Sequence, residues 1–186
     1  MNAVLWVLLA VVLLVLLGGV VSYNRFIRQR NLVQESWRQV DVELTRRHDL
    51  VPNLVETVKG YAAHERQTIE AVTTARTVAA SPGAGPAEQA QQEAALSGAL
   101  RQLFAVAESY PDLKASANFL ELQRQLSETE DRIAAGRRFY NGNVRALNTR
   151  VESFPSSLVA SMFGFHHAEY FASDDPEIRA TPQVSF

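Results

Sequence analysis

Four histidines are the side chains of this sequence best suited to hold a metal ion or to transfer a proton near neutral pH. They are His48, His64, His166 and His167. Helical di-metal sites place a glutamate three residues before a ligating histidine, and none of the four has one. The zinc pattern HExxH is absent, and the adjacent side chains of His166 and His167 point apart on most backbones. The sequence therefore predicts no metal site and no bound cofactor.

His64 and Glu65 form a titratable pair on the apolar stripe of a predicted helix. A carboxylate that faces a core is costly unless it is hydrogen-bonded, so Glu65 would need a partner such as Arg or Tyr. We interpret the two residues as a possible buried polar pair with a structural role. The alternative is an unrecognised enzyme site around them, since perturbed titratable groups gather at functional sites.

Other kinds of chemistry lack their residues in this chain. It has no Cys, which excludes a thiol nucleophile, thiolate metal sites and a disulfide framework. There is no G-x-S-x-G nucleophile motif, and the turn-rich segment Ser81–Pro86 lacks the GK[ST] of a phosphate loop. The formal net charge is -2, and the arginines are spread along the chain, so nucleic-acid binding is not predicted. We interpret Arg46 and Arg47, beside Glu43 and Asp49, as surface charge pairs.

The elements that must position these residues begin with an apolar stretch, Ala3–Val21, which reads AVLWVLLAVVLLVLLGGVV. It carries no charge, and a helix of this length at about 1.5 Å per residue nearly matches the roughly 30 Å hydrocarbon core of a bilayer. We predict a retained transmembrane anchor. The alternative is a cleaved signal peptide, which would have a basic start, a shorter apolar core and a small-x-small cleavage site.

The charges that flank the apolar stretch predict its orientation. Arg25, Arg28 and Arg30 follow it, and no Lys or Arg precedes it. Positive charge stays on the cytoplasmic side of a membrane helix. We therefore predict a single-pass protein of the cell membrane, with the N-terminus outside and the rest of the chain in the cytoplasm.

Apolar residues at spacings of three, four and seven predict two helices after the anchor. The first covers Asn24–His48 and could continue the anchor helix as one rod. Pro52 lacks an N–H and disfavours the helical conformation of the residue before it, so we predict a break at Asp49–Pro52. The second helix then runs to about Ala80.

Two further helices follow the turn-rich segment. The third covers about Ala87–Ser109, and the fourth runs from Phe119 to Phe154 with the heptad spacing of left-handed bundle packing. On the stripe of the fourth helix, Gly136 either allows a close backbone approach or is a tolerated weak point. We predict an all-α fold in three parts. These are a transmembrane anchor in residues 1–23, an antiparallel up-and-down four-helix bundle in residues 24–155 and a short irregular tail in residues 156–186.

The C-terminal tail is aromatic at its start and has an acidic turn at Asp174–Glu177. If the four helices alternate in direction, the fourth brings the chain back toward the bilayer. Met162, Phe163 and Phe165 would then lie at the membrane interface, as amphipathic segments do. The alternative is that they fold over the end of the bundle as core, and the sequence leaves both open.

Several long runs of the sequence resemble the LemA family. They are SWRQVDVELTRRHDLVPNLVETVKGYAAHE at Ser36–Glu65, LSGALRQLFAVAESYPDLKAS at Leu96–Ser116, NFLELQRQLSETEDRIAAGRRFYN at Asn118–Asn141, and Phe154-Pro155. Together they cover nearly all of the chain after the anchor, although His48 stands where the resemblance leads us to expect Tyr. The resemblance implies a membrane helix with a short outside N-terminus and a soluble antiparallel four-helix bundle. It supplies no catalytic residues, and the family's molecular function is not established.

The anchor, the regular helices and the lack of a catalytic motif predict a non-enzymatic scaffold or protein-interaction module. Its predicted partners are the lipid bilayer and either another protein or a second copy of the chain. Two alternatives stay open. One is an enzyme with a polar site near His64 and Glu65, and the other is a membrane-surface or lipid-sensing role of the aromatic tail.

Overall fold

The structure is a computed structural model that describes residues 2–171, with side chains from residue 3 onward. Within these residues it has helices and no strand, which confirms the predicted all-α class. The helices are α1 (Asn2–Lys59), α2 (Arg66–Ala79), α3 (Pro86–Ala107), α4 (Pro111–Lys114), α5 (Ala117–Glu152) and α6 (Ser156–Phe163). The acidic turn predicted at Asp174–Glu177 lies outside the described residues.

Helix α1 is a single helix of 58 residues that continues through Pro52. The break predicted at Asp49–Pro52 is therefore wrong. Proline in a helix removes the hydrogen bond to the carbonyl four residues earlier, which here belongs to His48. That carbonyl instead accepts a hydrogen bond of 3.1 Å from Nε of Arg76 on α2. A side chain from another helix thus satisfies the group that Pro52 leaves without its helical partner.

The chain leaves α1 eight residues later than Pro52, at Gly60. Glycine has a low helix propensity, and the residues from Gly60 to Glu65 form a turn. The second helix predicted from the sequence is consequently divided between the end of α1 and α2. The predicted third and fourth helices agree with α3 and α5 within a few residues at each end.

The described residues divide into two compact units. Unit 1 comprises residues 2–38 and 139–168, and unit 2 comprises residues 39–138 and 169–171. Helices α1 and α5 contribute residues to both units, whereas α2, α3 and α4 belong to unit 2 and α6 belongs to unit 1.

Unit 1 has an aromatic core where the segment after α6 packs on α1. The rings of Phe26 and Phe165 are stacked with centroids 4.6 Å apart, and both side chains are buried. Asn148 of α5 fixes the end of this segment, because its side-chain amide donates to the carbonyl of Ala168 and its oxygen accepts from the N–H of the same residue. A buried polar side chain is thereby satisfied by main-chain groups.

Unit 2 contains a core of aliphatic side chains contributed by α1, α2, α3, α4 and α5. Gly136 of α5 lies against Val40 of α1, and a Cβ atom at Gly136 would be 3.1 Å from Cγ2 of that valine. Of the two interpretations of Gly136, the structure supports the close approach. The largest fully buried side chains of the core are Val51, Leu54, Val58, Val72, Leu96, Leu103 and Leu113.

Candidate functional site

Two helices of unit 2 carry charged residues at positions of their apolar stripes. On α1, Arg47 falls between Leu44 and Val51 at spacings of three and four; on α3, Glu93 precedes Leu96 by three. Helix positions at this spacing share one face, which here is the face toward the core. The two charged side chains are accordingly only 5% and 6% exposed.

The carboxylate of Glu93 is the centre of a group of buried polar side chains. Its Oε1 lies 2.7 Å from Nε2 of His48 and 3.0 Å from Nε2 of Gln89, and its Oε2 lies 3.3 Å from Nη1 of Arg47. All four side chains are buried. We call Arg47, His48, Gln89 and Glu93 the buried polar cluster.

Arg47 binds further groups on α3 and α5. Its Nη2 donates to Oγ of Ser97 at 2.6 Å, and its Nη1 lies 3.2 Å from Oε2 of Glu130. The side chain of Glu130 is 55% exposed, so this second carboxylate reaches the protein surface. Arg47 therefore pairs with one buried and one solvent-facing anion.

The buried polar cluster also satisfies main-chain groups at two places. Gln89 donates from Nε2 to the carbonyl of Ala79, the last residue of α2, at 2.8 Å. The last carbonyls of a helix have no partner within it, so this bond closes the end of α2. The carbonyl of His48 accepts from Arg76 of the same helix. The cluster thus joins α1, α2, α3 and α5.

A surface groove of about 340 Å³ lies directly over Arg47 in unit 2. It combines an apolar wall with charged and polar side chains. Its lining residues are Arg47, Ser97, Leu100, Arg101, Phe104, Gln123, Leu126, Ser127 and Glu130.

The geometry of the cluster favours a structural role for Glu93. Three donors occupy its two oxygens, so the carboxylate is held by the side chains around it. Buried ionic groups of this kind are stable when every partner is present and costly when one is removed. The cluster can hold the helices that form the groove in one register.

The helix stripes contain a signal for these residues that the spacing of apolar residues alone does not show. The interpretation of Arg47 as a surface charge is wrong. Helix α1 continues past His48, where the sequence predicts its end, and Arg47 lies on the buried stripe of this longer helix. On α3, the apolar stripe continues backward from Leu96 through Glu93 to Gln89 at spacings of three and four. The signal is a charged residue at a core position of each helix, Arg47 on α1 and Glu93 on α3.

The predicted buried pair of His64 and Glu65 does not form as predicted. His64 is exposed, and Glu65 is only partly buried, because both lie in the turn after α1 and not on a helix stripe. Glu65 does have a tyrosine partner: its Oε1 accepts a hydrogen bond of 3.0 Å from the hydroxyl of Tyr110. This bond to the carboxylate raises the pKa of the Tyr110 hydroxyl, since the bond is lost on deprotonation; burial and the negative charge of Glu65 raise it further.

The remaining histidines lie at the surface. His166 is exposed, and Nε2 of the exposed His167 lies 2.9 Å from Oε1 of Glu152. Among residues 2–171 no group of three or more His, Asp or Glu side chains is placed to hold a metal ion.

The aromatic residues of the tail have different surroundings. Met162 and Phe163 are exposed at the end of α6, whereas Phe165 is buried against Phe26. Phe165 therefore faces the interior of unit 1, and only the first two present an apolar surface.

The apolar stretch Ala3–Val21 lies within α1 with its side chains exposed. This helix is long and apolar enough to cross a membrane. An exposed apolar stretch of this extent makes the N-terminal part of α1 a candidate membrane span.

Comparison with known proteins gives one family and several relatives. The sequence model of the LemA family matches residues 36–186. Magnetosome protein MamQ 2 of Paramagnetospirillum magneticum is 29% identical over 191 residues, which cover 87% of this chain and 70% of the relative. Protein LemA of Metamycoplasma hominis is 27% identical over 157 residues, with 83% and 70% covered. Magnetosome protein MamQ of Magnetospirillum gryphiswaldense is 26% identical, with 87% and 70% covered.

Proposed function

The chain belongs to the LemA family, and on that premise we propose that it is a single-pass membrane protein whose helical domain binds protein without catalysing a reaction. One observation carries the proposal. The same helix, α1, contains the exposed apolar stretch Ala3–Val21 and the residues Val51, Leu54 and Val58 of the unit 2 core. A domain whose core includes part of the same helix stays tethered to the membrane.

We propose that the helical domain is an antiparallel up-and-down four-helix bundle built from α1, α2, α3 and α5. The heptad spacing of α5 supports this arrangement, as do the short connections after α1 and α2. The arginines at positions 25, 28 and 30 support an N-terminus outside the cell membrane and a domain in the cytoplasm.

We propose the groove over Arg47 as the protein-binding surface of this domain. The apolar side chains Leu100, Phe104 and Leu126 would contact apolar residues of a partner, while Arg101 and Glu130 at its rim would set charge preference. The partner is a second copy of the chain or another protein. In the buried polar cluster beneath the groove, Arg47, His48 and Gln89 all bind the Glu93 carboxylate, which supports a structural role for this group.

Site-specific photocrosslinking in intact membranes tests the binding surface. A photoreactive phenylalanine replaces Gln123 in the groove, and the matched control replaces the exposed Thr74 of α2, which is not a groove residue. Two differently tagged copies of the full chain distinguish self-association from another partner. We expect a discrete crosslinked product at Gln123 and none at Thr74. The same products at both positions, or none at either, would contradict the proposal.

Cysteine labelling tests the membrane orientation. Because the chain has no Cys, single substitutions report one position each. We expect Asn2→Cys to react with a membrane-impermeant maleimide in intact cells, and Ser81→Cys to react only after the membrane is permeabilised. The reverse pattern would overturn the orientation and leave the membrane span intact.

A further inference from the structure

Helix α6 presents an apolar surface that no residue of unit 1 covers. The run from Ser153 to Phe165 contains no charged residue. Phe154, Leu158 and Met162 follow one another at spacings of four and are 81%, 59% and 77% exposed. Leu158 and Met162 lie within α6 four residues apart and share one helix face, and Phe154 lies in the turn just before the helix. Together they give this part of unit 1 an exposed apolar surface.

This helix lies beside the end of the apolar stretch of α1. The rings of Tyr23 and Phe163 are in edge contact with centroids 4.9 Å apart. Between the two helices runs an almost wholly apolar groove of about 690 Å³, lined by residues from Val15 to Tyr23 on α1 and from Pro155 to Phe163 on the other side. One wall of the groove is thus the predicted membrane span itself.

The depth of the groove matches that of an interfacial helix. Val15 lies six residues before Val21, the last residue of the apolar stretch, which at about 1.5 Å per residue corresponds to about 9 Å along α1. Amphipathic helices that lie in a membrane surface bury their apolar face by about 5–10 Å. A lipid chain beside Val15 would therefore also reach the groove face of α6.

Positive charge lies next to this apolar surface. Arg25, Arg28 and Arg30 are exposed on α1 directly after the apolar stretch. The guanidinium of Arg30 lies 5.8 Å from the centroid of the Phe165 ring, in the segment that follows α6. Cations beside an apolar face are the combination that anionic phospholipids bind.

We infer that α6 lies in the interfacial layer of an anionic phospholipid bilayer, on the side where α1 leaves the membrane. A phospholipid acyl chain fills the groove between the two helices, and the arginines bind phosphate groups of the lipid surface. The occupant is lipid because one groove wall is the span, which contacts hydrocarbon at that depth. The inference rests on the proposed membrane placement of α1.

Depth-dependent fluorescence quenching of the reconstituted full chain tests the inference. Single cysteines at Met162, Val12 and Ser81 carry a small environment-sensitive fluorophore. Val12 reports the middle of the span, and Ser81 is an exposed control in unit 2. The vesicles contain phosphatidylcholine and phosphatidylglycerol, with a spin label either near the headgroup or near the end of the acyl chain.

We expect the shallow spin label to quench the fluorophore at Met162, the deep label to quench the one at Val12, and neither to quench the one at Ser81. If Val12 is not quenched, the membrane span fails, and with it the proposed function. If Val12 is quenched but Met162 behaves like Ser81, only the inference on α6 fails. The fluorophore at Met162 could instead be shielded from an aqueous quencher and yet be quenched by neither spin label. That result would mean that protein covers α6, and it would also overturn the inference.

The lipid charge has its own readout in the same experiment. Quenching at Met162 should fall when phosphatidylglycerol is omitted, and it should fall in the same way when Arg25 and Arg28 are both replaced by Gln. Quenching that is unchanged by either substitution or lipid composition would overturn the role of anionic lipid.

Discussion

Nε of Arg76 lies 3.1 Å from the main-chain carbonyl of His48, the group that Pro52 cannot bond. In a regular helix the N–H of residue 52 would donate to this carbonyl. The substitute donor is the side chain of Arg76, which belongs to α2 in the same unit. The hydrogen bond that Pro52 removes from α1 is thus replaced only when α2 lies in its place beside it.

We expect Arg76→Met to lower the free energy of unfolding by about 1–2 kcal/mol, because a partly buried carbonyl loses a charged donor. In a Pro52→Ala background the N–H is restored, and the same substitution should cost less. Urea unfolding of the full chain in detergent, followed by circular dichroism, measures the double-mutant cycle. Additive effects of the two substitutions would show that Arg76 does not compensate for Pro52.

The arrangement around Pro52 also shows how far the sequence predicts this fold. Spacing of apolar residues predicted α3 and α5, because each has a long stripe that local sequence alone defines, and the uncharged apolar run predicted the N-terminal helix. It did not predict that α1 continues, because the hydrogen bond that compensates Pro52 comes from Arg76, 24 residues later. Propensity rules describe an isolated helix, and a tertiary contact overrides them here.

The candidate site was missed for a related reason. An apolar stripe is found by looking for apolar residues, so Arg47 and Glu93 appeared to interrupt their stripes and not to belong to them. Each is acceptable in the core only because the other lies opposite, and sequence spacing within one helix cannot show that pairing. We expected Glu65, if buried, to need a partner such as Arg or Tyr; it bonds to Tyr110 although it is only partly buried, because its position in a turn depends on where α1 ends.

We expect Glu93→Leu to lower the free energy of unfolding by about 3–5 kcal/mol, because it leaves the buried Arg47 without its inner carboxylate. The matched control is Glu56→Gln, which removes one partner of the exposed pair with Lys59 and should cost less than about 1 kcal/mol. Urea unfolding measures both. Equal and small effects would contradict the assignment of Glu93 as the centre of the cluster.

Replacement of both charges should be less harmful than replacement of one. In the double variant Arg47→Met, Glu93→Leu, no unpaired buried ion remains between α1 and α3, so we expect most of the lost stability to return. Unfolding curves of the two single variants and the double variant give the coupling energy. A double variant as unstable as the sum of the single ones would show that the two side chains do not depend on each other.

Two glycines of α5 should respond differently to alanine. At Gly142 a Cβ would meet nothing within 4 Å, so we expect Gly142→Ala to raise the free energy of unfolding by about 0.5–1 kcal/mol through helix propensity. At Gly136 the Cβ would be 3.1 Å from Cγ2 of Val40. Gly136→Ala should therefore raise the free energy of unfolding by less than Gly142→Ala does, or lower it. A Val40→Ala background removes the contact and should restore the gain. Equal gains in the free energy of unfolding at both glycines, with Val40 unchanged, would contradict the close approach of Gly136 to α1.

Tyr110 and Glu65 should make stability depend on pH in the alkaline range. Because the pKa of Tyr110 is raised in the folded protein, its contribution is complete below the ordinary tyrosine pKa of about 10. It is lost as the pH rises through the higher folded value. We therefore expect Glu65→Gln, which removes the carboxylate, to lower the pKa of Tyr110 toward its ordinary value.

Phenolate absorbance measures this shift, with Tyr110→Phe used to subtract the other tyrosines and with the protein kept folded throughout the titration. Tyr110→Phe should in addition remove the part of the alkaline stability loss that belongs to this residue. A titration of Tyr110 that is the same with and without the Glu65 carboxylate would show that their hydrogen bond does not persist in solution. The turn after α1 would then lack the contact that connects Glu65 to the residue before α4.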